Sequence, residues 1–238
     1  MMQQLCLDLS PDLNPDWQRS FAHFWRGQQH SALLHHLESL FEPESESFIY
    51  LWGESGVGKT HLLEAICHRA HGLGLQAGYV DFARPGTLAW DLLDQLEHLD
   101  ALCIDNLDQL NDARYHHFHV DLFRIFNACH ERQTVLVVAA KQGAEAFEAM
   151  LPDLRSRLNS GLRFHMLPLF HSEKRQALFE HAQRLGLVIA PHIIDYIMTY
   201  GSRSTADLSC LLRMLAKATL THQRKVTLPF VRKLMQPR

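Results

Sequence analysis

The eight residues from Gly53 to Thr60 have the types and spacing needed to hold a phosphate chain. They read Gly-Glu-Ser-Gly-Val-Gly-Lys-Thr and fit the pattern G-x-x-x-x-G-K-[ST]. Glycines let backbone N–H groups approach phosphate oxygens that side chains would otherwise shield. In this pattern the lysine reaches the outer phosphates and the threonine hydroxyl binds Mg²⁺. The predicted phosphate-binding residues are Gly53, Glu54, Ser55, Gly56, Val57, Gly58, Lys59, Thr60 and His61.

The residues on either side of this loop predict the two elements that would position it. Residues 48–52 form an apolar run typical of a strand, and residues 62–70 carry apolar side chains at helical spacing. The free amides at the N-terminus of such a helix favour a bound anion. A chance glycine-rich turn is the alternative, but it does not explain this strand, loop and helix order.

A second apolar segment ends in a carboxylate. Residues 101–105 read Ala-Leu-Cys-Ile-Asp, so the last residue of this predicted strand is Asp105. An isolated strand of this kind is weak evidence, but after a phosphate loop it is typical of the acid that holds the hydration shell of Mg²⁺. The predicted metal-binding pair is therefore Thr60 and Asp105.

Strands alternate with helices over the first 170 residues, which predicts an α/β fold with a parallel five-stranded sheet between helical layers. After residue 172 only helical patterns follow. The predicted strands cover 48–52, 77–82, 101–105, 134–140 and 162–167. A first helix is predicted within 17–41, after the aromatic residues, and further helices cover 62–70, 88–96, 113–131, 151–158, 173–185, 190–200, 204–221 and 229–234. The predicted domains are a flexible leader over 1–16, the α/β domain over 17–170 and a helical lid over 171–238.

Composition limits the class of protein. The 238 residues are 47% hydrophobic and 21% charged, no apolar run approaches the length of a membrane span, and the N-terminus lacks a signal-peptide pattern. We expect a globular protein of the cytoplasm with no membrane partner.

The five cysteines form no C-x-x-C pair, and the histidine clusters at 35–36 and 116–119 lack further ligands at metal-binding spacing. Reduced thiols and solvated histidines are therefore favoured over a metal site.

Charge is distributed unevenly along the chain. Residues 1–171 contain 12 Lys/Arg and 22 Asp/Glu, whereas residues 172–238 contain 11 Lys/Arg and 4 Asp/Glu, which gives net charges of −10 and +7. The basic part favours a phosphate-bearing or acidic partner. Attraction between the two parts of the chain is the alternative.

Three leucines alternate near the N-terminus, in the sequence Gln-Leu-Cys-Leu-Asp-Leu over residues 4–9. An extended peptide with this pattern can insert its leucines into apolar pockets of another protein. A short edge strand within the chain's own fold is the alternative. The predicted partner-binding residues are Gln4, Leu5, Leu7 and Leu9.

These features, in this order, resemble the AAA+ ATPases, and within them the ATPase core of the replication initiator DnaA. The resemblance covers nearly all of residues 17–238, including Leu-Pro-Asp-Leu-x-Ser-Arg-Leu at 151–158 and Gln-Arg-Lys-x-Thr-x-Pro-Phe-Val at 223–231. It implies ADP or ATP, with Mg²⁺, as ligands. Because the sequence leaves no room for the further interaction and DNA-binding domains of DnaA, the resemblance implies a regulator that acts on DnaA.

The resemblance also implies roles for particular residues. In the family, a leading Q-L-x-L-x-L peptide binds the cleft of the DNA polymerase III sliding clamp, its β subunit, and residues 4–9 match this peptide. Arg157 matches an arginine finger that acts on the nucleotide of a neighbouring protomer, which here is ATP held by DnaA. A guanidinium beside the outermost phosphate neutralises the charge that develops during hydrolysis.

Arg155 is the competing candidate for this role. With Leu151, Leu154 and Leu158 facing inward, Arg155 and Arg157 lie on opposite flanks of their helix, so that one of them at most reaches the partner. The motif favours Arg157. A surface salt bridge is the alternative role for this arginine.

Three catalytic positions of the family are altered. Asn106 stands where relatives carry a second acid, and an amide orients water but cannot accept its proton. The polar sensor after the fourth strand is replaced by Ala-Ala-Lys, ending at Lys141. The sensor arginine of the lid aligns on Ala206, and Arg203, one turn earlier, is the candidate to replace it as a contact of the nucleotide. We expect the protein to bind nucleotide well and to hydrolyse it poorly.

Three functions follow as hypotheses. In the first, a nucleotide-bound adaptor docks on the DNA-loaded clamp, stimulates hydrolysis by DnaA and so inhibits replication initiation, with DNA reached through the clamp. In the second, the chain is a self-contained ATPase that assembles with its own copies into a ring, as helicase loaders and clamp loaders do. The third, a DNA-binding initiator fragment, is the weakest, because the sequence contains no recognition helix and no basic groove with interleaved aromatic residues.

Overall fold

The computed structural model describes residues 20–83, 98–112, 115, 118–148, 150–202, 204–222 and 226–235. The helix expected over 88–96 and the peptide over 4–9 lie outside these ranges. The described residues form two compact units. The first unit contains residues 20–24 and 30–54 and the described residues from 59 to 167; the second contains 25–29, 55–58 and the described residues from 168 onward.

One parallel sheet forms the centre of the first unit. Its strands are β1 (Phe48–Trp52), β2 (Ala77–Asp81), β3 (Ala101–Asp105), β4 (Val135–Ala140) and β5 (Leu162–His165). They lie in the order β2-β3-β4-β1-β5, and all neighbours pair in parallel. The predicted α/β fold with a five-stranded parallel sheet is confirmed. Every residue of β4 is buried, which explains the uncharged sequence of this central strand.

The register brings the carboxyl ends of the strands to one edge of the sheet. Asp81 pairs with Asp105 between β2 and β3, and Trp52 pairs with Ala140 between β1 and β4. The residues that follow these strands therefore leave the sheet at the same edge. In parallel α/β sheets this edge is where ligands bind.

The α-helices in the described part of the first unit are α1 (Ser31–Glu38), α2 (Lys59–Gly72), α3 (Phe118–Arg132) and α4 (Pro152–Ser160). The apolar stripe of α3 packs against the sheet, because Leu122, Ile125, Phe126 and Cys129 recur at helical spacing and are buried. The described part of this helix begins at Phe118, and a short 3₁₀ segment lies at Leu107–Asn111.

The second unit is mainly helical in its described part, with α5 (His171–Arg184), α6 (Pro191–Tyr200), α7 (Thr205–His222) and α8 (Leu228–Met235). All of these bounds lie within two residues of the predicted ones. The core of this unit is apolar and contains Trp25, Leu178, Ile194, Ile197, Leu212 and Leu215. Among the described helices of the chain, none is long and apolar enough to cross a membrane.

Three described cysteines, Cys67, Cys103 and Cys129, are buried with free thiols, whereas Cys210 is exposed. Burial raises the pKa of the Cys129 thiol to about 12, so that this group stays protonated. Within the described ranges, no group of three or more side chains is arranged to hold a metal ion.

Candidate functional site

The loop over residues 53–58 connects β1 to α2, in the order that the sequence predicts. Gly53 and Gly58 have φ angles of 156° and 107°, which residues with a side chain rarely adopt. A Cβ atom at Gly53 would also collide with the backbone carbonyl oxygen of Met166. Both backbone conformation and available space therefore require glycine at Gly53.

Lys59 is the first residue of α2 and is only 8% exposed. Its Nζ donates hydrogen bonds to the carbonyl oxygens of Gly53 (2.6 Å) and Glu54 (2.8 Å). Burial lowers the pKa of the ammonium group, and the carboxylates of Asp105 and Asp108 oppose this shift. The site thus places a desolvated cation beside the loop backbone, where a phosphate group can exchange for the carbonyl contacts.

Asp105 ends β3, and its side chain is 1% exposed. Its carboxylate accepts hydrogen bonds from the hydroxyl of Thr60 (2.5 Å), the hydroxyl of Tyr79 (3.0 Å) and the backbone N–H of Asn106 (2.8 Å). Burial raises the pKa of Asp105, while these three hydrogen bonds act in the opposite direction. Because Mg²⁺ prefers hydroxyl, carboxylate and water oxygens, the donor set of Thr60 and Asp105 fits this ion.

Sequence reasoning did not single out Tyr79. Burial and the negative charge of Asp105 raise the pKa of its hydroxyl, which therefore stays protonated and donates to the carboxylate. The contact depends on the pairing of β2 with β3, and this neighbour relation cannot be read from the separate strand patterns.

Asn106 has a left-handed backbone conformation, with φ of 56° and ψ of 39°, which asparagine adopts more readily than most residues. Its Nδ2 donates a hydrogen bond to Oδ1 of Asp81 at the end of β2 (2.7 Å). Since the amide nitrogen faces this carboxylate, the amide oxygen is directed away from it and is able to accept a hydrogen bond from water. Asp81 is a second contact that sequence reasoning did not identify.

The position after β4 is occupied by Lys141. Its backbone N–H donates to Oδ1 of Asp108 (3.1 Å), and its Nζ lies 3.3 Å from Oδ2 of the same carboxylate. The preceding residues, Ala139 and Ala140, are fully buried and have no polar side chain. The only polar side chain of this Ala-Ala-Lys segment is therefore already ion-paired.

Arg157 lies on α4, away from the residues around Lys59. It is partly buried and lines a shallow hollow together with Phe48, Leu136 and His130. Phe48 and Leu136 are at the amino ends of β1 and β4, whereas Thr60 and Asp105 meet at the carboxyl edge of the sheet. No described residue accepts a hydrogen bond from the Arg157 guanidinium. The structure therefore does not bring Arg157 together with the predicted phosphate and metal residues of its own chain.

One expectation about α4 is wrong. Leu154 and Leu158 are buried as predicted, but Leu151 is 40% exposed. Leu151 precedes the helix, which begins at Pro152, so the helical spacing that places Leu154 and Leu158 inward does not extend to it. Arg155 and Arg157 are both partly buried.

The remaining predicted residues are divided between several places. His61 faces the first described residues of its unit: its Nε2 lies 3.1 Å from the carbonyl oxygen of Ser20 and its ring contacts Phe24 edge to face. Within the second unit, the hydroxyl of Thr205 donates to the carbonyl oxygen of Gly56 (2.5 Å). Val57 is buried, and Glu54 and Ser55 are exposed. Outside the described ranges lie Gln4, Leu5, Leu7, Leu9 and Arg203.

Replacement of Asp105 by Asn is expected to change the pH dependence of stability. The pKa of Asp105 is higher in the folded state than its value of about 4 in the unfolded chain. Protonation of Asp105 therefore stabilises the fold in full below pH of about 4, and this stabilisation is lost as the pH rises through the folded-state pKa. The amide does not titrate. Asp105→Asn should therefore gain stability relative to the wild type as the pH rises above about 4. Thermal unfolding without nucleotide and Mg²⁺ measures this difference, and a constant difference across the pH range would contradict it.

Comparison with known families places the chain in a class. Residues 23–188 match the family model described as the AAA ATPase domain, and because this match covers more than half of the sequence, the chain belongs to the AAA ATPases. Residues 171–235 match a second model, described as the lid domain of Hda. The predicted resemblance to AAA+ ATPases of the DnaA type is confirmed.

Solved structures share the fold. Domain III of the Thermotoga maritima replication initiation protein DnaA superposes with a TM-score of 0.78 at 19% identity, over 96% of this chain and 100% of that chain. AMPPCP-bound DnaA from Aquifex aeolicus superposes with a TM-score of 0.72 at 18% identity, over 90% of this chain and 69% of that chain. The Thermotoga maritima RuvB Holliday junction branch migration motor superposes with a TM-score of 0.64 at 19% identity, over 91% of this chain and 71% of that chain. At these identities the similarity concerns the fold.

Proposed function

We propose that this chain is a nucleotide-bound adaptor that switches off a DnaA-type initiator. It is an AAA+ protein similar to DnaA, with a lid segment similar to that of Hda. In this proposal it holds ADP or ATP with Mg²⁺, docks on the DNA-loaded sliding clamp through residues 4–9, and presents Arg157 to ATP held by DnaA. Hydrolysis on DnaA then inhibits replication initiation.

The geometry around Lys59 supports nucleotide binding. The loop backbone and the Lys59 ammonium group would bind the phosphates, and Thr60 and Asp105 would hold Mg²⁺ directly or through water. When bound, the ion would neutralise part of the phosphate charge. A nucleotide-bound DnaA among the structural relatives is consistent with this assignment. The role of Arg203 as a contact of the nucleotide stays a prediction.

Two contacts support slow hydrolysis by the chain itself. The side chain of Asn106 is an amide held by Asp81, so it can orient a water molecule but cannot remove its proton. The ammonium group of Lys141 is ion-paired with Asp108. A site that binds nucleotide and turns it over slowly keeps ADP or ATP as a lasting structural ligand.

The position of Arg157 is the observation that carries the proposal. Arg157 lines the hollow at the amino ends of β1 and β4, whereas Asp105 lies at the carboxyl end of β3, and the Arg157 guanidinium has no acceptor among the described residues. An arginine with no role in its own site, on the helix that matches the finger motif, is suited to act on a nucleotide bound by another protein. A planar guanidinium also binds phosphate oxygens in a bidentate manner.

A self-contained ATPase is the second candidate. Lys59, Thr60 and Asp105 are assembled in one site, which is the minimum needed for hydrolysis by the chain. In a ring of identical copies, Arg157 would act on the neighbouring copy. Turnover by the purified chain alone, lost in both Lys59→Ala and Arg157→Ala, would support this function instead.

The leader peptide provides the test of clamp docking. ATP hydrolysis by DnaA is measured with this protein, sliding clamp and DNA, using the wild type and a variant with Leu7→Ala and Leu9→Ala. We expect the double variant to lose the stimulation that depends on the loaded clamp, because two apolar anchors are removed. Retained nucleotide binding by the variant is the control. Equal stimulation by both proteins, or stimulation without the clamp, would contradict the docking proposal.

A further inference from the structure

Two tyrosines and an arginine are stacked on the surface of the second unit. Tyr196 and Tyr200 are four residues apart on α6 and so share one face of the helix. Their ring centroids are 4.6 Å apart, with an angle of 35° between the ring planes. Cζ of Arg232, on α8, lies 5.1 Å from the centroid of the Tyr196 ring. We call Arg232, Tyr196 and Tyr200 the tyrosine ladder.

The outer end of the tyrosine ladder is open. Tyr196 is partly buried against the core of its unit, but Tyr200 is 68% exposed. Arg232 covers one end of the ladder by a cation–π contact, whereas Tyr200 ends the other. Packing within the unit accounts for Tyr196 and leaves the ring of Tyr200 available to a flat partner.

The net charge of the segment that carries the ladder favours an anionic partner. Residues 172–238 contain 11 Lys/Arg and only 4 Asp/Glu. Asp195, next to Tyr196, is ion-paired with Arg175 (2.6 Å), so its charge is compensated locally. Arg232 and Lys233 are both exposed on α8, because Val231 is the residue of that turn that faces the core.

The three other acids of this segment are also engaged. Glu173 accepts hydrogen bonds from the backbone N–H groups of Gln28 and Phe170, Glu180 accepts from Gln176, and Asp207 accepts from Ser202. These hydrogen bonds fix the three carboxylates in place. The surplus of positive charge on the segment remains.

We infer that the tyrosine ladder binds single-stranded nucleic acid. A base stacks on the open face of Tyr200, and phosphates of the same strand contact Arg232 and Lys233. Aromatic side chains joined to basic residues bind single strands in this manner because every base has a π face and every nucleotide has a charge. A duplex does not fit, since its bases are already stacked on each other. This binding is independent of the adaptor function proposed above.

The sequence gives no sign of this surface, because its residues come from two separate helices. Arg232 is distant in sequence from Tyr196 and Tyr200, and the contact arises only when α8 packs beside α6. The sequence predicted no basic groove with interleaved aromatic residues, because these residues are far apart along the chain. In the folded unit they lie together on one surface.

Fluorescence anisotropy with labelled oligonucleotides tests the inference on the full chain. The probes are a 20-mer of thymidine, a 20-mer of uridine and a duplex of equal length. We expect both single strands to bind more tightly than the duplex, and Tyr200→Ala to weaken single-strand binding about 5- to 30-fold. Unequal binding of the two 20-mers identifies DNA or RNA as the preferred form. Arg232→Gln should also reduce the slope of the logarithm of the binding constant against the logarithm of salt concentration by about 1, the loss of one phosphate contact.

Two matched variants separate stacking from other effects. Tyr200→Phe keeps the ring and should bind as the wild type does. Val188→Ala removes another exposed apolar side chain of the same unit, 91% exposed, and should have no effect. Circular dichroism and thermal unfolding show whether Tyr200→Ala remains folded.

Three outcomes would overturn the inference. The first is equal single-strand binding by Tyr200→Ala and the wild type. The second is tighter binding of the duplex, governed by salt alone, which would indicate non-specific attraction to phosphate. The third is loss of self-association in Tyr200→Ala, seen by sedimentation, with oligonucleotide binding unchanged; the ladder would then be a protein interface.

Discussion

Replacement of Arg157 by alanine should leave a folded, nucleotide-binding protein that no longer stimulates DnaA. The side chain lies apart from Lys59 and Asp105, so its removal does not alter the chain's own nucleotide site. An arginine finger supplied by a partner accelerates hydrolysis about 10³- to 10⁵-fold, so we expect loss of about 10³-fold or more of the stimulation. The measurement is single-turnover ATP hydrolysis on DnaA with loaded clamp and DNA.

Arg155→Ala is the matched control, because Arg155 lies on the same helix, is also partly buried and stands two residues away. It should retain most of the stimulation. Arg157→Lys separates charge from geometry, since an ammonium group keeps the charge but lacks the planar fork, and should recover only a small part. If Arg155→Ala is inactive and Arg157→Ala is active, the finger has been assigned to the wrong arginine.

Replacement of Lys59 by alanine should abolish tight nucleotide binding. Lys59 provides the one side-chain cation that contacts the loop carbonyls of Gly53 and Glu54 among the described residues. Removing a buried cation that pairs with phosphate costs about 3 kcal/mol or more, which corresponds to at least about 100-fold in the dissociation constant. Isothermal titration with ADP and with ATP, each with Mg²⁺, measures the loss.

Stability provides the second readout for Lys59. Burial lowers the pKa of its ammonium group, so the charge is held in the fold at a cost that alanine does not carry. Lys59→Ala should therefore unfold at the same or a higher temperature without nucleotide, but should lose the rise in melting temperature that nucleotide causes. Lys217→Ala, which removes an exposed lysine of α7, should keep that rise. Wild-type affinity in Lys59→Ala would refute the assignment of the site.

Local patterns in the sequence determined the elements and the chemistry of the loop. Gly53 to Thr60 is a contiguous motif, and its glycines are required by backbone angles that the fold must adopt there. The strands and lid helices were predicted nearly to the residue, because apolar periodicity and the flanking turns are properties of neighbouring residues. Asp105 was identified because it is the last residue of an apolar strand.

The neighbours of these residues were decided by the tertiary structure. Tyr79 and Asp81 reach Asp105 and Asn106 only because β2 pairs with β3, and many strand orders are compatible with the same local patterns. Leu151 was predicted to face inward because its spacing fits a helix, but Pro152 begins the helix after it.

The surface around Arg157 and the tyrosine ladder also differ in how far the sequence predicted them. The motif around Arg157 was readable in the sequence, whereas its position opposite the Thr60 and Asp105 pair follows from the strand order. The tyrosine ladder joins residues from α6 and α8 and had no sequence signal. Residues close in sequence are constrained by local backbone geometry and periodicity, while contacts between distant segments depend on which elements pack together, so only the folded chain specifies them.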